Sequence, residues 1–184
     1  FLNEFSSVEV EVFGLQDSHA QSDRKAWGAL EPKAFTTVGP SAYGYAPGLI
    51  EALVNSNADL LHLHALWMYT SFAALKWAQR ENKPYVISPH GMLRSRAYRR
   101  SRWKKKIVQF LYEDTLLEGA SCIHALTPEE KESIRDFGLD NPICTIPSGV
   151  SLPPPAGNER PIWRETIDRG DHVLLYLGRL HRIK

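Results

Sequence analysis

Hydrophobic and polar positions along the chain follow two alternating rhythms. Short apolar runs bounded by turn-forming residues predict strands at Val8–Phe13, Ala34–Val38, Asp59–Leu63, Tyr85–Ser88, Ala120–Ala125, Ile143–Ile146 and Val173–Leu177. Longer stretches with apolar residues three or four apart predict helices over Pro47–Ser56, Thr70–Asn82, about Arg99–Gly119 and Pro128–Phe137. The last of these starts with a hydroxyl cap, Thr127, a proline at the first helical position and Glu130 three residues after the cap, and Gly138 suits its end. Strands and helices in this order imply right-handed βαβ crossovers. The fold class is α/β, a parallel sheet with helices on both faces.

The two ends of the pattern point to a piece of a larger protein. Val173–Leu177 reads as a fully buried strand, and such a strand needs hydrogen-bonding partners on both sides. It runs into Gly178-Arg179-Leu180, and Lys184 is the last residue. Pro153-Pro-Pro-Ala-Gly-Asn158 breaks the alternation as a linker would. The expected organisation is a domain over residues 1–152 that lacks its first strand, a linker over 153–171, and the first strand and turn of a second domain over 172–184. Phe1-Leu-Asn-Glu-Phe5 looks like the tail of a helix, and no cationic segment with an apolar stretch marks a signal peptide.

Composition narrows the class only a little. Apolar residues make up 43% and charged residues 23% of the chain, ordinary values for a globular protein, and no apolar run is long enough to span a bilayer. Cys122 and Cys144 sit in apolar strand-like runs, which predicts reduced core thiols and a cytoplasmic setting.

The polar residues that stand out fall just past strand ends. His64, His90 with Gly91, Thr127, and Ser148 with Gly149 all lie in loops that a parallel sheet gathers along its ligand-binding edge. In Ser88-Pro89-His90-Gly91 the proline fixes the backbone and the glycine allows a ligand close approach, so the imidazole is placed to meet a hydroxyl or phosphate. A surface histidine in a tight turn fits the same spacing. His62 should face away from Leu61 and Leu63, as a packed histidine or a functional one, and Trp67 belongs to an aromatic loop that either lines a pocket or tucks under a helix. Arg179 and Lys184 suit a diphosphate, or are two solvated cations.

Net charge of +1 hides a local concentration. Arg94, Arg96, Arg99, Arg100, Arg102, Lys104, Lys105 and Lys106 place eight cations in thirteen residues without an acid. Trp103, Ile107, Phe110 and Leu111 recur at helical spacing, so the block leads into an amphipathic helix. Arg99, Arg100, Lys104 and Lys105 are candidates for contact with an anionic membrane, although the cations wrap around most of the helix. No recognised nucleic-acid module accompanies them, so nucleic acid is not an expected partner.

Taken in order, Asp59-Leu-Leu-His-Leu-His64 with Leu66-Trp67, Ser88-Pro-His-Gly-Met92, Ile146-Pro-Ser-Gly-Val150 and Leu177-Gly-Arg-Leu180 with Lys184 resemble the retaining GT-B glycosyltransferases of the group 1, or family 4, type. Gly39-Pro40 and Gly44-Tyr-Ala-Pro-Gly48 extend the likeness, which covers most of the chain from about residue 35. The resemblance implies two Rossmann-like domains facing a cleft, of which this chain would carry the N-terminal, acceptor-side one. It implies a hexosyltransferase-like enzyme that moves a sugar from a nucleotide-sugar donor to a glycan or lipid-linked hydroxyl with retention, in polysaccharide or glycolipid synthesis. The histidine matching His90 would be catalytic, and Arg179 and Lys184 would bind the donor diphosphate, with no metal or other cofactor required. His64, Trp67, Gly91, Thr127, Ser148 and Gly149 would line the acceptor side, in a cytoplasmic enzyme, peripheral on the inner face of a membrane. The glycine-rich loop after the family's first strand and the paired-glutamate motif are missing, and Pro147-Ser-Gly-Val-Ser151 stands where Pro-Asn-Gly-Val-Asp is common. The fragment alone is expected to be inactive.

Two other readings compete. His62, His64 and His90 could form the zinc site of a hydrolase, since His-x-His at a strand end offers two ligands on one face. Alternatively, the domain is a non-catalytic scaffold whose basic helix docks on an anionic surface.

Overall fold

The computed structural model describes residues 7–23, 27–28, 30–94 and 102–149. The linker at 153–158, the strand at 173–177, and Arg96, Arg99, Arg100, Arg179 and Lys184 lie outside the described residues. Two compact units divide the chain, Phe1–Pro147 and Ser148–Lys184. Every described strand and helix belongs to the first unit.

Apart from the short α1, which the pattern does not predict, its elements alternate as expected: β1 (Phe13–Leu15), α1 (Ala20–Asp23), β2 (Lys33–Phe35), α2 (Leu49–Asn55), β3 (Leu61–His64), α3 (Tyr69–Glu81), β4 (Tyr85–Ser88), α4 (Arg102–Val108), a π-helical segment Gln109–Glu113, α5 (Asp114–Glu118), β5 (Cys122–Ala125), α6 (Pro128–Asp136) and β6 (Ile143–Thr145). Among the described residues all strand pairs are parallel. β3-β4-β5-β6 form one sheet in sequence order, and β1 pairs with β2 in a second. The first strand forms later than the Val/Glu alternation at Val8–Phe13 predicts. A strand exists only where a partner lies opposite, and β2 reaches Phe13 through Leu15, with one further bond from the Lys33 amide to the Val12 carbonyl.

Strand periodicity then sorts the residues of the larger sheet. Leu63, Ile87, Ile123 and Ala125 face one side and are buried against Trp77 of α3, Leu116 and Leu117 of α5 and Ile134 of α6. Consecutive right-handed crossovers deliver the three helices to that same face. His62, His64, Ser88, Cys122, His124 and Cys144 belong to the opposite side. Cys122 and Cys144 lie on neighbouring strands, only partly buried, as free thiols. A smaller core of Ala46, Leu49, Tyr69 and Ala73 gathers Phe13, Leu15 and Phe35 of the two-stranded sheet. There Gly44, at φ +71°, has no room for a Cβ, which would collide with Leu15.

Candidate functional site

β3, β4 and β5 end in register. His64 stands opposite Ser88, and Ile87 opposite Ile123, so Ser88 and His124 fall in the same row. Period-two alternation also puts His62 on this face, one pleat back. The sheet thereby collects histidines that are far apart in sequence. His62 Nε2 lies 2.7 Å from Ser88 Oγ, Ser88 Oγ 2.8 Å from His124 Nδ1, and His124 Nε2 2.8 Å from the Ile146 carbonyl. The carbonyl can only accept, so His124 Nε2 donates. With His124 neutral, Ser88 donates to its Nδ1 and accepts from His62 Nε2–H. The chain runs across three strands to the segment after β6. Ser88 is fully buried, so this serine–histidine contact joins strands and is closed to an incoming substrate.

His64 Nδ1 and His90 Nε2 are 2.9 Å apart, their rings stacked at 15° with centroids 5.2 Å apart. Burial, then the neighbouring His64, His124 and His90, push His62 down to about 4. His64 is lowered too, by burial first and then by His90 and His124. His62 and His64 therefore favour the neutral ring, which both donates and accepts hydrogen bonds.

The loops that carry these residues are held in costly backbone. Ala65 at φ +69°, Trp67 at +68° and His90 at +51° occupy the left-handed region, at about 1–2 kcal/mol for each residue with a Cβ. The loop after β3 is secured at each residue. The Ala65 amide donates to the Ser88 carbonyl (3.0 Å), the Leu66 amide to Met92 Sδ (3.3 Å), and the Trp67 amide to Glu113 Oε1 (3.1 Å). Tyr112 Oη donates to the Met68 carbonyl at 3.3 Å. Tyr112 and Glu113 both come from the π-helical segment, whose wider turn changes which residues face the sheet. Glu113 is fully buried, and desolvation pushes its carboxyl up to about 7.

The turn after β4 has its own clamp. Glu130, 4% exposed, accepts from the Gly91 amide at 2.6 Å and from the Leu126 amide at 2.8 Å. Thr127 does cap α6, accepting from the Glu130 amide at 3.2 Å, but the glutamate's carboxylate serves Leu126 and Gly91. One carboxylate thus ties the His90 turn to the loop after β5. Gly91, at φ +75°, takes a conformation that a side chain would disfavour.

The structure brings His64, His90, Gly91 and Thr127 to one sheet edge. Trp67 is buried at 8% exposure, its ring 6.5 Å from that of Phe137, so it packs under the loop. Ser148 and Gly149 are exposed and begin the second unit. Ser88, His124, Glu113 and Glu130 are the additions to the site. Ser88 and His124 carried a sequence signal, their place on the same strand face as His62 and His64; Glu130 carried only its helix-start position after Thr127, and Glu113 carried none.

Among the described residues no group of three or more His, Cys, Asp or Glu is set to hold a metal ion, which removes support from the zinc reading. His62 Nε2 is engaged by Ser88, and His64 Nδ1 by His90. Among the described residues, too, no helix is long and apolar enough to cross a membrane. Comparison with curated proteins and with solved structures finds no match. The family model Glycosyltransferase Family 4 matches residues 6–152, a span that contains both sheets and the loops carrying His64, His90 and Thr127, and on that match the chain belongs to glycosyltransferase family 4.

Proposed function

We propose that this chain is the acceptor-side part of an enzyme that transfers a sugar from a nucleotide-sugar to an acceptor hydroxyl with retention. The observation that carries the proposal is the construction of the His90 turn. An exposed imidazole is held in left-handed backbone by a buried carboxylate and paired with His64, in a domain of this family. Such a ring can donate a hydrogen bond to a sugar hydroxyl or a phosphate oxygen as charge develops on it. Arg179 and Lys184 would neutralise the departing diphosphate, weakening the anomeric bond before the acceptor hydroxyl attacks. The acceptor in this reading is a growing glycan or a lipid-linked sugar.

Thermal-shift measurements on the full-length enzyme with UDP-, GDP- and ADP-sugars test it. A donor at a hundred times its dissociation constant should stabilise by about 2.7 kcal/mol. The shift should appear with one nucleotide class and vanish in Arg179→Ala. His90→Ala should lower turnover while nucleotide affinity stays close to wild type. No shift with any nucleotide-sugar would defeat the proposal, and undiminished turnover in His90→Ala would reduce that turn to structure.

A further inference from the structure

The sheet face that carries the histidines also carries both cysteines of the chain. Cys144 stands directly opposite His124, and Cys122 lies two residues before His124 on β5, so the cysteines are diagonal neighbours on one face of β5 and β6. Their thiols converge on one point. Cys122 Sγ lies 3.7 Å, and Cys144 Sγ 3.8 Å, from the Ile123 carbonyl oxygen. The two thiols also hydrogen-bond with each other, and both residues are only partly buried, within reach of a small reagent. Burial first, and then the hydrogen bond and charge of Cys122, raise the Cys144 thiol above its ordinary value. A single buried cysteine is inert, whereas two free thiols in contact at an accessible position can react with one reagent in turn.

We propose that Cys122 and Cys144 form a thiol–disulfide exchange site, which a low-molecular-weight disulfide oxidises to an intramolecular bridge between β5 and β6. The Cys122 thiolate attacks one sulfur of the reagent, forms a mixed disulfide and releases one small thiol. Cys144 then gives up its proton and attacks Cys122 Sγ, expelling the second small thiol. Two electrons pass from the protein thiols to the reagent, and their two protons leave on the two small thiols. Cys144 takes the second step because its thiol holds its proton strongly, and the rate of the first attack follows the thiolate fraction. Diagonal partners stand farther apart than opposite ones, so closure draws β6 along β5. β6 can give, being three residues long and the last strand of its sheet among the described residues. A bridge closed against the sheet register is easily reduced again, which suits a reversible modification and not a structural staple. His124 lies beside both cysteines and donates to the Ile146 carbonyl just past β6. A displaced β6 therefore disturbs that bond, and with it the chain through Ser88 to His62. This inference does not depend on the transfer reaction.

Incubation of the reduced 184-residue chain with glutathione disulfide tests it, followed by alkylation of the remaining thiols and measurement of the intact mass. Wild type should lose two hydrogen atoms, carry no glutathione and take up no alkylating agent, and dithiothreitol should reverse the change. Cys144→Ser should stop at a glutathione adduct on Cys122, and Cys144→Ala should do the same if the serine variant folds poorly. The His124 side-chain nitrogen resonances should shift on oxidation of wild type and stay in place in Cys122→Ser treated alike. Glutathione adducts that persist on both cysteines of wild type overturn the inference, as does cross-linking between chains without an internal bridge. A native chain that stays reduced while the urea-unfolded chain oxidises also overturns it, because the strands then hold the thiols apart. Capture by phenylarsine oxide, which bridges two thiols and releases water, without disulfide formation would leave a site for thiophilic reagents only and overturn the exchange. A bridge that leaves the His124 resonances unmoved would overturn the coupling to the histidine chain.

Discussion

Replacing Glu130 tests whether the His90 turn is held from beneath. Its carboxylate accepts two backbone hydrogen bonds, from Gly91 at 2.6 Å and Leu126 at 2.8 Å, while the residue is only 4% exposed. Bonds to a charged acceptor contribute about 1.5–3 kcal/mol each. Gly91 and Leu126 are partly exposed, and water can partly replace the lost acceptor, so the lower end of that range applies. Glu130→Ala should therefore cost about 3 kcal/mol. At about 2–4 °C per kcal/mol for a chain of this size, the melting temperature should fall by roughly 6–12 °C. Glu130→Gln keeps one acceptor oxygen but turns an NH2 group toward the other amide, and should cost about 2 kcal/mol. Glu132→Gln, an exposed substitution on the same helix, should leave stability unchanged. The specific readout is the imidazole of His90. In Glu130→Gln its side-chain nitrogen resonances, and those of His64 bonded to it, should shift, with those of His19 unmoved. Wild-type stability together with unmoved His64 and His90 resonances would refute the clamp. Lost stability with those resonances unmoved would show that Glu130 supports the helix start and not the turn.

Two opposing titrations should shape stability against pH. Glu113 is raised from 4.5 to about 7, so between those values the unfolded chain ionises first and stability falls as pH rises, by about 3 kcal/mol in all. His62 is lowered from 6.5 to about 4, so stability is instead lost as pH falls through that window, and His64 acts with the same sign. Relative to wild type, Glu113→Gln should gain stability from pH 5 to 7, and His62→Gln should gain it from pH 6.5 toward 4; denaturation profiles parallel to wild type would contradict both. Gly119→Ala should cost about 1–3 kcal/mol, because its Cβ would stand 2.6 Å from Tyr85 Oη and 3.1 Å from the Thr115 carbonyl. Tyr85→Phe should relieve part of that cost although it gives up the 2.7 Å bond to Leu116, and strict additivity of the two changes would refute the collision.

Much of the frame was legible because periodicity is a local property. Tyr85–Ser88 forms the strand its apolar run predicts, and Thr127-Pro128 starts a helix that ends before Gly138, at φ +100°. The face that His62 takes follows from alternation with Leu61 and Leu63. The family, too, could be recognised from short motifs in order, and those at His64, His90 and Ile146 fall at the ends of β3, β4 and β6. Boundaries were less legible at the edge of the fold, where β1 begins only where β2 lies opposite it.

The partnerships within the site were decided elsewhere. His62 with Ser88 and His124, and His64 with His90, are contacts between residues 26 or 36 positions apart, set by the register of separate strands. The parts that the two glutamates play in the site were hidden for a related reason, although Glu130 stood out as a helix-start residue. Glu113 and Glu130 lie on helices, where a glutamate ordinarily reads as solvent-facing; only the packing of those helices against the sheet buries them beneath the loops. The exposure of Trp103, Ile107, Phe110 and Leu111 also waited on the structure, because helical spacing identifies an apolar face without saying what covers it. By itself the sequence determined the order of strands and helices, the face each strand residue takes and the family, because these depend on neighbours along the chain. Tertiary structure alone decided which histidines meet, which carboxylates are desolvated and how exposed each apolar side chain is, because those depend on neighbours across it.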